Sequence, residues 1–144
     1  MITAVVDTNV LASGLVRGLK ASPPVQIVDA WHSDRYTMIV SEHIIGELTR
    51  TLADPYFQSH ISGDQSARFL ALLRRRAILI AVTIEVRGVA THPEDDLILA
   101  TAVSARANYL ATGDKKLQQL RTYQGVTIVS PWEFLEVLQS QQSE

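Results

Sequence analysis

The chain has 144 residues, 47% apolar and 19% charged, a size and balance that indicate one globular domain able to bury a sizeable core. The absence of cysteine excludes a disulfide framework and thiolate metal sites, and fits a reducing, cytoplasmic setting. The formal net charge of −2 argues against a broad electrostatic footprint on nucleic acid, although an acidic metal pocket would itself lower the net charge of a nuclease.

Taken in chain order, short apolar runs alternate with helical patterns. Residues 2–6 (ITAVV) read as a buried strand, and the apolar run they open is broken by Asp7 and lacks a basic leader, which speaks against a signal peptide. A helix is expected from Asn9 to Val16, and another from Ser22-Pro23-Pro24 to His32, with proline in its first turn. Residues 36–40 (YTMIV) form a second strand. Ser41 then caps a helix to Leu52 whose apolar stripe is Ile44, Ile45, Leu48 and Leu52, and Asp54-Pro55 ends it. Residues 64–76 form a further helix with Phe69, Leu70, Leu72 and Leu73 on its apolar side, followed by a third strand at 77–82 (AILIAV). A helix rich in Ala and Leu covers 94–107, a fourth strand 108–112 (NYLAT) and a fifth 126–129 (VTIV). Ser130-Pro131 starts a last helix to about Leu138, and the polar residues 139–144 form a frayed tail. No stretch approaches the ~20 apolar residues of a membrane span. The alternation predicts a three-layer α/β/α domain around a central parallel sheet of about five strands, spanning 1–144 with its core over 2–138.

Ligands of such sheets sit beyond the carboxyl ends of the strands. Asp7 directly follows the first strand, in VVDTNV, and Asp114 directly follows the fourth, in LATGD. Glu94, Asp95 and Asp96 crowd at the start of the helix that leads into the fourth strand, and Glu47 lies beside the apolar stripe of the helix after the second. Each acid also has an ordinary reading. Asp7 could end a strand, Gly113-Asp114 is common turn chemistry, and acids favour a helix N-terminus by about 0.3–1 kcal/mol each. Glu47 alone would be a solvated helix residue. Together, four separated segments can bring carboxylates to one edge of the sheet, where Mg²⁺ or Mn²⁺ would offset their repulsion.

VVDTNV, SEHIIGEL, HPEDDLILATA and YLATGDKKL, in this order and spacing, resemble the PIN domain family, and within it the VapC-like bacterial toxins of toxin–antitoxin systems. The resemblance covers residues 2–138. It implies a metal-dependent ribonuclease with Mg²⁺ or Mn²⁺ held by Asp7, Glu47, Asp95 and Asp114. It also implies supporting roles for Asn9, Asp96 and Thr112, a small antitoxin as partner and self-association as a dimer. His92 stands where the subgroup often has an acid, outside the core set. Lys115 and Lys116 beside Asp114, and Arg17 in a local basic pair with Lys20, are candidates for RNA phosphate contact, and a plain surface role for the two lysines fits as well. Arg74-Arg75-Arg76 reads mainly as a helix end whose cations suit the dipole. The four histidines lack a spacing such as HExxH and read as surface or helix residues. Trp31, Trp132 and Phe134 read as helix packing residues. Two other readings compete: a catalytically inactive PIN-fold module that binds an antitoxin or RNA, and a phosphotransfer domain using Asp7. The Asp7-Thr8-Asn9 triplet disfavours the second, because a phosphatase of that type would want Asp-x-Asp.

Overall fold

In the structure, a computed structural model that describes residues 1–18 and 21–142, the central sheet has six strands rather than five. Its elements in chain order are β1 (Thr3–Val6), α1 (Thr8–Ser13), α2 (Pro23–His32), β2 (Thr37–Val40), α3 (Glu42–Leu52), α4 (Pro55–Gln58) and α5 (Gly63–Arg76). They continue with β3 (Ile78–Leu79), α6 (Pro93–Ser104), β4 (Tyr109–Ala111), α7 (Lys115–Leu120), β5 (Thr122–Tyr123), β6 (Val126–Val129) and α8 (Pro131–Gln142). The strand order is β3-β2-β1-β4-β6-β5, parallel throughout except for β5, which pairs antiparallel with β6.

Ala4, Val5 and Val6 of β1 are buried at three consecutive positions. Successive strand residues point to opposite faces, so helices must cover both sides of the sheet. The register places Val6 beside Ala111 of β4, and Leu110 of β4 beside Ile128 of β6. From β1 the chain proceeds outward through β2 to β3, then returns to place β4 on the other flank of β1. The β1–β4 pair is therefore the topological switch point of the sheet, the crevice where α/β folds bind ligands. Asp7 and Asp114 follow these two strands.

Several elements depart from the expected pattern for identifiable reasons. The strand expected over 77–82 keeps only two ladder residues. Its partner β2 stops at Val40, where Ser41 leaves the sheet to cap α3 by accepting from the Ile44 amide. The last bond is from the Ile80 amide to the Val40 carbonyl, 2.9 Å. The chain then crosses toward α6, where the amides of Thr83 and Ile84 donate to Ser104 Oγ. Helices α4 and α7 and strand β5 were not anticipated, because each is too short to show a period. Helix α8 continues to Gln142 instead of fraying at 138, while Ser143 and Glu144 lie outside the described residues. Trp31 and Phe134 are buried as expected, but Trp132 is 61% exposed and packs in no core. Residue 132 sits in the first turn of α8, ahead of the buried Phe134 and Leu135.

Helices α1 and α2 meet at Gly14. A Cβ there would lie 2.5 Å from Val28 Cγ2 and 2.6 Å from the Pro24 carbonyl oxygen, so only glycine permits the contact that brings Pro24 beside the switch point.

Candidate metal site

Asp7 is delivered to the switch point by the end of β1. Its amide donates to the Ala111 carbonyl (2.9 Å), which extends the β1–β4 ladder by one step. Its side chain, 4% exposed, N-caps α1 by accepting from the Asn9 amide (3.2 Å), and accepts a 2.7 Å hydrogen bond from the Thr112 hydroxyl. Burial pushes the Asp7 carboxyl above the usual range. The Thr112 and Asn9 bonds oppose that shift, and the charges of Glu47 and Asp114 add to it. Capping is thus one function of Asp7, but a cap needs neither this burial nor the neighbouring acids.

Glu47 reaches the same point from α3. Its Oε1 accepts a short hydrogen bond from the buried Thr8 hydroxyl. Its Oε2 is buried and has no hydrogen-bond donor among the described residues, although His43 Nε2 lies 3.2 Å away. Asp95, in the first turn of α6, completes a triad: Asp7, Glu47 and Asp95 each present a carboxylate oxygen, and these atoms lie within 4.8 Å of one another. Partial burial, reinforced by the charges of Asp7, Asp114 and Glu47 and opposed by that of His92, pushes the Asp95 carboxyl up to about 7. Among the described residues no donor reaches the Asp95 carboxylate to offset this shift, while its amide donates to the His92 carbonyl at 3.0 Å.

The two remaining acids are engaged elsewhere. Asp114 N-caps α7. Its Oδ1 accepts from the Lys116 amide (2.8 Å), the Leu117 amide (3.1 Å) and the Thr91 hydroxyl (3.0 Å), and its Oδ2 from the Thr91 amide (3.1 Å). Burial alone would raise this carboxyl, but the Leu117, Thr91 and Lys116 bonds outweigh it and hold it below the usual carboxylate range. Asp114 therefore stays ionised beside the triad without belonging to it. Asp96 follows Asp95 by one residue, about 100° around the helix, and so faces away from the triad. Its carboxylate is buried and accepts from the amides of Gly88 (2.9 Å), Val89 (3.0 Å) and Ala90 (2.7 Å). Asp96 thus secures the loop before α6, which bears on the expectation that it supports the metal side of the site. Thr112 is fully buried and binds both strand-end acids: its Oγ1 donates to Asp7 and accepts from the Asp114 amide at 3.0 Å.

A cleft of about 380 Å³ opens onto this arrangement, lined by Asp7, Asn9, Pro24, Thr91, His92, Asp95 and Asp114 among others. Asn9 is exposed at its wall, and its backbone amide supplies the bond to Asp7. Lys115 and Lys116 are exposed on the first turn of α7, next to Asp114. Arg17 is not brought to the cleft. It pairs with Asp29 and borders a separate groove of about 470 Å³ with Leu15, Val28 and Phe69, and Lys20 lies outside the described residues. In the arginine run, Arg74 pairs with Glu42 (2.9 Å), and Arg76 pairs with Asp34 and lies over the Trp31 ring. Both are used within the fold.

Sequence reasoning missed three residues that shape the site: Thr8, His43 and Thr91. Thr8 lies inside the DTN motif, and His43 precedes Glu47 by four residues, the spacing at which helix side chains meet. Thr91 carried no signal, because its bond to Asp114 depends on the path of an irregular loop.

The donor set suits a hard divalent cation. Three carboxylates converge, one buried oxygen lacks a hydrogen-bond donor, and a cation would offset the burial and the neighbouring charges that push the Asp95 carboxyl up.

A family model described as a PIN domain matches residues 3–116. No curated protein sequence matches the chain. Among solved structures, VapBC2 from Rickettsia felis bound to a DNA fragment from its promoter aligns with a TM-score of 0.58 at 15% identity, over 90% of this chain and 98% of that one. FitAcB from Neisseria gonorrhoeae aligns with a TM-score of 0.49 at 18% identity, over the same shares of the two chains, 90% and 98%. At 15% identity the likeness to VapBC2 speaks for the fold alone.

Proposed function

Because the chain belongs to the PIN domain family, we propose that it is a metal-dependent endoribonuclease, the toxin of a toxin–antitoxin pair. The observation that carries this reading is the Asp7–Glu47–Asp95 triad at the switch point, with Glu47 Oε2 buried and lacking a hydrogen-bond donor. Asp7, Glu47 and Asp95 would hold Mg²⁺ or Mn²⁺ directly, and Asp114 would add negative charge from the cleft wall. Such an ion supplies a water of lowered pKa and charge stabilisation at the phosphate.

The protein's own part is positional. Thr112 and the Asn9 amide fix the Asp7 carboxylate, and Thr8 fixes that of Glu47. Asp95, free of such bonds, would have to be ionised to hold a cation, so its raised carboxyl would make binding favour higher pH. The cleft between Asn9 and Thr91 would take the RNA backbone, with Lys115 and Lys116 steering phosphate toward it. The partner would be a small antitoxin protein, the active form a dimer and the setting the cytoplasm. Among the described residues no helix is long and apolar enough to cross a membrane.

Labelled single-stranded RNA incubated with the protein tests this reading. Cleavage is expected with Mn²⁺, and is expected to be lost with EDTA and in Asp7→Asn. Cleavage that survives both would sink it. A protein that binds Mn²⁺ calorimetrically but cleaves no RNA tried would call for a wider substrate panel. One that fails to bind Mn²⁺ would favour an inactive PIN module serving only as a partner.

A further inference from the structure

We propose that His43 is a positioning residue that sets the Glu47 carboxylate against Asp95 by joining α3 to the first turn of α6. The inference rests on the metal-site reading above and deepens it. His43 and Glu47 are four residues apart on α3, and His43 Nε2 lies 3.2 Å from Glu47 Oε2. The same nitrogen lies 3.1 Å from the Glu94 carbonyl oxygen. That carbonyl belongs to the peptide unit whose nitrogen is that of Asp95. One imidazole nitrogen therefore touches the carboxylate of one triad acid and the peptide carbonyl immediately before another.

The chemistry of the contact assigns the proton. A carbonyl oxygen only accepts, so Nε2 carries the hydrogen. Glu47 Oε2 is the acceptor without a hydrogen-bond partner, so that hydrogen goes to Glu94 and Oε2 keeps its lone pairs. The imidazole edge still lies against it and limits its travel, while Thr8 holds Oε1. The carboxylate is thus oriented at one oxygen and left open at the other, an arrangement that suits a ligand. Groups that orient ligands from behind are worth about 10–100-fold in metal affinity.

An ordinary helix–helix hydrogen bond predicts a different pattern. It would contribute to stability and leave affinity untouched. Calorimetric titration of the full chain with Mn²⁺ separates the two, run beside thermal melts without metal. His43→Ala is expected to weaken Mn²⁺ binding about 10-fold, and His43→Gln, whose amide can donate to the same carbonyl, is expected to recover most of that loss. In a Glu47→Gln background, His43→Ala is expected to change affinity by less than about twofold, since coupled residues are not additive. His43→Phe fills the same volume without a donor and serves if the alanine variant does not fold. Wild-type affinity in both donor-less variants would overturn the proposal, as would an equal loss in the Glu47→Gln background. Failure of the wild-type chain itself to bind Mn²⁺ would instead overturn the metal-site reading.

Discussion

Asp95→Asn is the perturbation that most directly probes the triad. The Asp95 carboxyl stands at about 7 against an ordinary 3.8, chiefly through burial and the charges of Asp7, Asp114 and Glu47. Between about pH 4 and 7 the folded chain holds this proton and the unfolded chain does not. Stability of the metal-free protein therefore falls as pH rises through that window, and the loss is complete above it. Three pKa units at 1.36 kcal/mol each set a ceiling of about 4 kcal/mol, which solvent screening of this half-buried side chain reduces to about 1–2 kcal/mol. Asparagine removes the charge and breaks no side-chain hydrogen bond. The variant is thus expected to be more stable than wild type in EDTA at pH 8, by about 3–6 °C in melting temperature. The difference should shrink on acidification and nearly vanish at pH 4. Saturating Mn²⁺ should reverse the order, because binding at 100 times Kd stabilises wild type by about 2.7 kcal/mol and the variant little. Identical melting of the two proteins in EDTA from pH 4 to 8 would refute the account of Asp95 as a carboxylate held against its neighbours.

Two further substitutions separate the site from its supports. Thr112→Val keeps shape but leaves the buried Asp7 Oδ2 without its donor, so it should cost about 1–3 kcal/mol in denaturant unfolding and weaken Mn²⁺ binding as well. Asp96→Asn should cost a similar ~1–3 kcal/mol by removing charge from the acceptor of three loop amides. Its signature is faster hydrogen exchange at Gly88, Val89 and Ala90. Unchanged protection there would show that the loop is held by other means.

The alternation of strands and helices, and the gathering of Asp7, Glu47, Asp95 and Asp114 toward one sheet edge, were legible because they follow from period and position. Buried strands are short apolar runs, and a residue that follows such a run lies at the sheet edge whatever the loops do. What was not legible depends on partners distant in sequence. AILIAV looks like a six-residue strand, but its ladder ends where Ser41 draws β2 away, a fact set about 40 residues earlier. Trp132 looks like a core aromatic, yet helix phase in the first turn of α8 turns it outward while Phe134 packs edge-on against Tyr36. Asp95 and Asp96 could not be ranked by composition, because both satisfy the helix dipole equally well.

Helix geometry divides the labour between those two acids. Neighbouring residues on a helix point about 100° apart, so one turn cannot aim both carboxylates at the same ion. Asp96 is spent on three amides of the loop 88–90, and Asp114 on the amides of α7 and on Thr91 of the same loop. Two acids therefore hold the loop and helix beside the cleft, while Asp7, Glu47 and Asp95 converge on one another at its base. A carboxylate already holding three or four protein donors gains less from a cation than one holding none. By that criterion, on the proposed metal site Asp95 would gain most from a bound cation and Asp114 least. Of the acids that open α6, Asp95 thus faces the triad and Asp96 holds the loop beside it.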